Sequence, residues 1–305
     1  MTDVPRVPEA RTLHGEELTA GNAWTAVRQA RLPFWRAAFA RFRYGDGFSH
    51  SRALALQLVL AFVPLVIATV GLSGTLATRG TGQVLRSTLI GLSPGQSDEV
   101  LRDVLAADRD GSAVALWLGL AFALASLTTA MGQVERGANR IYGIPEDRPS
   151  RRKYGRALVM AVAAGLPAMA GFGAVLAAPS LGTAVQVVYD LDATVVTGLV
   201  YPAGAVLLLL SVTALLRFSP RRRQPGWSWL ALGALVAFLL WVAFTALLSV
   251  YVALSGSFDA VYGPLTGIVA LLLWAQVTSI AVLLGLAVAA QLEAWWIEHR
   301  PQRTR

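Results

Sequence analysis

Six long stretches of this chain hold no charged side chain at all, and that pattern decides which folds are open to it. They run about 53–76, 113–133, 157–179, 194–216, 228–252 and 264–291, and all 26 basic and 18 acidic residues fall between or beyond them. Each is about 20 residues or longer, which at about 1.5 Å per residue takes a helix across a hydrocarbon core about 30 Å thick. A charge at the centre of such a helix costs about 2.5–3.5 kcal/mol. A helix on a water-soluble protein carries charges on its outer face instead. The pattern predicts an all-α membrane protein, a bundle of six transmembrane helices.

The net charge of +8 matters through where it sits. Segments 1–52, 134–156, 217–227 and 293–305 carry eight, seven, four and three basic residues, against four in 77–112 and none in 180–193 or 253–263. This alternation predicts that both termini are cytoplasmic. The expected location is the bacterial plasma (inner) membrane. The expected partners are the bilayer, anionic lipids of the cytoplasmic leaflet, and a second copy of the chain. Nothing resembles a base- or phosphate-reading domain, so nucleic acid is not an expected partner. The chain has no cysteine, which excludes disulfides, thiolate metal sites and cysteine nucleophiles. No cleavable signal peptide is expected, because the first apolar stretch follows a long basic region.

Residues 1–22 read as a disordered tail, 23–292 as a single membrane domain and 293–305 as a basic tail. Between 23 and 44, Trp35, Ala38, Phe39 and Phe42 recur at helical spacing with Arg36 and Arg43 turned away. This predicts a basic amphipathic helix lying in the membrane interface, with packing under the bundle as the equal alternative. Val100, Leu101, Val104 and Leu105 predict a second amphipathic helix in the outside loop 77–112.

The chemistry-bearing residues are sparse. The three histidines, His14, His50 and His299, share no metal-ligand spacing, and no phosphate-binding loop, His-Glu-x-x-His or Gly-x-Ser-x-Gly occurs. The expectation is therefore no catalytic residue, no metal site, no cofactor and no enzyme. Asp190 and Asp192 read as solvated loop residues. Polar groups inside the spans are neutral, among them Gln57, Gln133, Thr245, Gln276, Thr278 and Ser279. Pro64, Pro167 and Pro202 kink their helices and free carbonyls that need other partners. Glu135, Asn139 and Tyr142 share a helical face at i, i+4, i+7, with Arg136 and Arg140 beside them. The candidate pathway or gate comprises Gln57, Pro64, Gln133, Glu135, Asn139, Tyr142, Pro202 and Gln276. For the two deep glutamines, lining a pathway and bonding between helices are both open. The small-residue stripes Ala281, Gly285, Ala289 and Ala170, Ala174, Ala178 mark packing faces.

Three stretches carry a family resemblance. They are Arg52-Ala53-Leu54-Ala55-Leu56 followed by Phe62-Val63-Pro64-Leu65, then Glu135…Asn139…Tyr142 with Arg151-Arg152-Lys153-Tyr154, then Tyr262-Gly263-Pro264-Leu265-Thr266-Gly267-Ile268 running into Leu273-Trp274 and Leu283-Leu284-Gly285. On these the chain resembles the YihY / virulence factor BrkB family of bacterial inner-membrane proteins over about residues 33–295. It departs at Gln57-Leu58, where the family often has aromatics, and at Leu286-Ala287, where it often has a glutamate. The resemblance implies six spans. A tRNA-processing ribonuclease label attached to some members finds no metal-ligand cluster here. The leading expectation is facilitated translocation of a lipid-like or amphipathic substrate. The alternative is a non-transporting envelope-integrity or scaffold protein, and a membrane hydrolase ranks last.

Overall fold

The computed structural model describes residue 7 and residues 20–29, 32–76, 109–189, 192–254 and 265–299. Among these the regular structure is helical, with no strand: α1 Ala20–Gln29, α2 Leu32–Tyr44, α3 Gly47–Leu76, α4 Arg109–Ile141, α5 Ser150–Tyr189, α6 Ala193–Phe218, α7 Trp227–Leu254 and α8 Thr266–His299. The last six are long and apolar enough to cross a membrane. The expected outside amphipathic helix, at 97–108, lies outside the described residues.

The single N-terminal helix expected over 23–44 is two helices. Pro33 occupies the second position of α2, where a missing N–H and a fixed φ suit a helix start. The expected apolar face of α2 also divides. Phe34, Ala38 and Phe42 are buried against the protein, whereas Trp35 and Phe39 stay exposed. The turn into α3 passes through Asp46 at φ 55°, a left-handed conformation that a short polar side chain tolerates.

Four spans reach well past their apolar stretches at the end carrying the basic loops. Helix α4 continues to Ile141, α5 starts at Ser150, α8 runs to His299 and α3 begins at Gly47. Gly143 stops α4 at φ 70°, with Ile144 N–H donating to Asn139 O (2.7 Å) and Gly143 N–H to Arg140 O (3.0 Å). That paired return is the Schellman termination, which needs glycine at its left-handed position. At the opposite end Asp192 caps α6, its Oδ1 accepting from Thr194 N–H at 2.8 Å.

The six spans pack in chain order around a ring: α3 on α4, α4 on α5, α5 on α6, α6 on α7, α7 on α8, and α8 back on α3. Three tight pairs, α3/α4, α5/α6 and α7/α8, form its sides. Backbones approach closely in the tight pairs. A Cβ on Gly285 would meet Ala237 Cβ at 2.5 Å, and one on Gly119 would meet Pro64 O at 2.8 Å. The small-residue spacing at Ala281, Gly285 and Ala289 is thus the α7-facing side of α8, as the packing reading expects.

The core is lopsided. Phe42, Ile141, Tyr142, Leu216, Leu230, Leu283 and Leu286 form one cluster at the basic end, where α8 also crosses to α4. On α7 and α8 burial falls off toward the other end: no residue of α7 after Ala237 is buried, nor any described residue of α8 before Ala275, whereas Ala178 and Gly182 of α5 are buried there.

Candidate functional site

At the basic end two carboxylates are fully buried, each on a membrane-crossing helix. Glu135 lies on α4 and Glu293 on α8, both with no exposed surface. A buried carboxylate is tolerated when a cation and hydrogen bonds compensate its lost hydration. Two arginines from loops supply the cations. Arg148, from the loop after α4, brings Nη1 to 3.0 Å from Glu135 Oε2. Arg222, from the loop after α6, donates from Nη2 to Glu293 Oε2 at 2.6 Å. The Arg148 approach is an ion pair without good hydrogen-bond alignment, and Glu135 Oε1 has no partner.

Tyr142 joins the second pair. Its hydroxyl donates to Glu293 Oε1 at 3.2 Å, and the Arg222 guanidinium lies 4.8 Å from its ring centroid. Burial, reinforced by the Glu293 carboxylate, pushes the phenol well above the usual tyrosine range, so it remains a donor. Gln224 places Oε1 3.3 Å from the same hydroxyl and leaves Nε2 unpartnered. Turning its amide over would let Nε2 donate to Tyr142 and satisfy both groups.

The two loops trade contacts. Arg148 donates from Nη1 to Ser219 O (3.2 Å) and from Nη2 to Pro220 O (2.9 Å) of the second loop. In return Arg221 donates from Nη1 to Asp147 O (3.1 Å) of the first, and its backbone N–H to Asn139 Oδ1 (2.8 Å). Asn139 uses its other end too, donating from Nδ2 to Asp147 Oδ1 at 2.9 Å. Lys153 at the start of α5 donates to Asp147 Oδ2 at 2.8 Å. Partial burial would raise the Asp147 carboxyl, but the hydrogen bonds from Lys153 and Asn139 outweigh it and hold the group below its ordinary value. Arg156 closes the lattice by donating to Phe218 O (3.0 Å), among the carbonyls at the end of α6. From α2, Arg41 donates from Nε to Gln291 Oε1 at 3.2 Å.

Of the residues singled out from sequence, Glu135, Asn139 and Tyr142 belong to this lattice, though each turns to a different partner. Gln133 lies half-buried just ahead of Glu135. The others sit elsewhere. Gln57 accepts from Thr129 Oγ1 (2.7 Å) and ties α3 to α4, while Gln276 donates to Ser51 Oγ (3.1 Å) and ties α8 to α3. Pro64 marks the Gly119 contact, and Pro202 is exposed on α6. Of the acidic pair, Asp192 is the α6 cap and Asp190 lies outside the described residues. Sequence reading missed Glu293, Arg222, Arg148 and Asp147 as site residues, having assigned them to loops and a tail. The available signal was spacing: Glu293 is followed at once by Ala294-Trp295-Trp296-Ile297, an apolar run that keeps α8 inside the core.

Six apolar spans in a ring, with a buried ion-pair lattice at one end, define a multi-pass α-helical membrane protein. The chain belongs to the virulence factor BrkB family, whose sequence profile matches residues 38–305. It is 26% identical over 264 residues to a UPF0761 membrane protein of Azotobacter vinelandii, covering 86% of this chain and 64% of that one. A UPF0761 membrane protein of Rhodospirillum centenum is 28% identical over 85% of this chain and 57% of its own length. A Bacillus subtilis protein named ribonuclease-like, YfkH, is 24% identical over 86% of this chain and 95% of its own. The chain thus spans less than two thirds of the Azotobacter and Rhodospirillum proteins. No solved structure matches it.

Proposed function

We propose that this protein facilitates translocation of a lipid-like or amphipathic substrate, with the ion-pair lattice as the closed gate at the cytoplasmic side of the inner membrane. The observation carrying this reading is the ring. Six spans close on one another in chain order, and the ion-pair lattice and a large buried cluster lie together at one end, while among the described residues α7 beyond Ala237 and α8 before Ala275 hold no buried residue. A bundle locked at its cytoplasmic end, with α7 and α8 more loosely packed beyond it, suits one half of an alternating-access cycle. The basic loops then face anionic lipids, and both termini lie on their side. This reading is non-enzymatic and uses no cofactor; the carboxylates are engaged by arginines, and the ribonuclease-like name of one relative supplies no residue role here.

The test is phospholipid exchange in proteoliposomes, read by dithionite bleaching of a headgroup-labelled phosphatidylglycerol. Wild-type protein is expected to bleach lipid that protein-free vesicles protect, and Glu293→Gln to change that rate. Indistinguishable traces with and without protein would end the translocation reading.

A specific observation favours the scaffold alternative. Gln57 and Gln276 each bond across helices, as structural glue in a dry bundle would. Single cysteines at 57 and 276, in a chain with no other thiol, decide the matter. Rapid reaction with a charged, water-soluble thiol reagent supports the pathway, and protection at both supports the scaffold.

A further inference from the structure

Away from the lattice, a second set of polar groups has no assigned role. Trp241 Nε1, Thr245 Oγ1, Thr278 Oγ1 and Ser279 Oγ are buried atoms with no hydrogen-bond partner. Helical serines and threonines ordinarily return their hydroxyl to a carbonyl one turn back. Others here do so: Thr128 to Leu124 O (2.7 Å), Thr213 to Leu209 O (2.6 Å) and Ser249 to Thr245 O (2.9 Å). These four groups do not, and Ser279 is fully buried.

Three of them share one level. Gly233 and Ala237 of α7 meet Gly285 of α8, and following the antiparallel pair two turns outward brings Trp241 and Thr245 alongside residues 274–278. Phe172 of α5 reaches across the ring to the same place, its centroid 5.5 Å from Trp241 and 5.9 Å from Trp274, edge-on to both. Trp241 is midway along a 28-residue helix, so this is the bundle centre. Thr278 lies seven residues before Gly285, on the α7-facing side of α8, so Trp241, Thr245 and Thr278 share this level beside an aromatic bridge, whereas Ser279 shares its helical face with Gln276 and Leu283, which meet α3 and α4.

The electrical setting narrows the ligand. Helix α7 has no charged residue and α8 none before Glu293. An anion there would have no countercharge, whereas a neutral acceptor needs none. From this geometry we infer that the α5–α7–α8 junction is a binding station for the neutral, carbonyl- or ether-bearing segment of an amphiphile, such as the glycerol-ester linkage of a lipid. The Trp241 indole and the Thr245 and Thr278 hydroxyls donate to its oxygens, while Phe172 and Trp274 cover the adjoining chain. The inference deepens the translocation reading and rests on it for the substrate class.

The probe is a monoacylglycerol carrying a diazirine in its acyl chain, added to the full chain in phosphatidylcholine nanodiscs. Its control is the same photoreactive hydrocarbon without the glycerol ester. The expected result is cross-linking to α5, α7 or α8 peptides by the ester probe, displaced by unlabelled monoacylglycerol. Thr278→Val with Thr245→Val is expected to lower the yield about tenfold and Trp241→Phe about threefold, as lost hydrogen bonds do. Because the donors have no partner in the protein, these variants are expected to keep or raise the melting temperature. Equal labelling by the bare hydrocarbon, or a lowered melting temperature with unchanged labelling, would overturn the station. Phospholipid exchange on the same samples separates the two readings. Capture without exchange keeps the station and removes translocation, and exchange without ester-dependent capture does the reverse.

Discussion

Replacing Arg222 by methionine isolates the energy of the buried pair. The substitution keeps an unbranched apolar stem and removes the cation 2.6 Å from a carboxylate that has no exposed surface. Breaking such a pair leaves an uncompensated buried charge and costs about 3–5 kcal/mol. The guanidinium over the Tyr142 ring at 4.8 Å adds about 1–2 kcal/mol more. Glu293→Leu alone is also costly, since it removes the carboxylate that Arg222 pairs with and one hydrogen-bond partner of the Tyr142 hydroxyl. The double variant leaves neither charge behind, and buried pairs replaced by apolar groups are often neutral. The two effects should therefore fall short of additivity by about 2–4 kcal/mol in a double-mutant cycle. Denaturant unfolding in mixed micelles, followed by tryptophan fluorescence, reads all four proteins. Additivity within about 0.5 kcal/mol would show that Arg222 and Glu293 are not a mutually dependent pair, and the gate would lose its physical basis.

The remaining predictions concern the frame around that pair. Asn139→Leu removes the partner of the Arg221 N–H and of Asp147 Oδ1 at a partly exposed site, and should cost about 1 kcal/mol in the same unfolding assay. Gly285→Val should prevent close α7/α8 packing, costing 1–3 kcal/mol or more at about the scale of core overpacking, whereas Gly155→Ala meets nothing within 4 Å and should be neutral or stabilising. Asp147 has a depressed folded value, so its stabilisation is present above the unfolded carboxyl value and is lost as pH falls through the lower folded one. Melting temperature should accordingly drop on acidification below about pH 4, and less so in Asp147→Asn. An equal acid response in that variant would assign the effect to other carboxylates.

The spans were legible because lipid imposes one rule on every residue in them, and six charge-free stretches obey it without exception. Their ends were not, because that rule stops at the edge of the hydrocarbon. Glu135 and Glu293 look like boundary markers when charge is taken as a sign of water. They are buried because arginines from two separate loops reach them, a long-range pairing that no local window contains. Asn139 and Tyr142 could be found by helical spacing with Glu135, since all three lie on one helix. Arg222 and Glu293 are 71 residues apart and meet only through the ring. Pro33 shows the opposite case: its consequence is local, and a helix start beside it could have been read directly.

The exchange of arginines between the two loops fixes their lengths. One inserted residue moves a following side chain by up to about 3.5 Å, more than the tolerance of a guanidinium held by several acceptors. Between Gly143 and Arg148, and between Phe218 and Arg222, substitutions that keep the count can be absorbed, while insertions and deletions slide an arginine off its carboxylate. A fusion tag or epitope placed in either loop should therefore disable the protein even where the loop surface looks permissive. Across relatives, the number of residues in these loops should vary less than their identity.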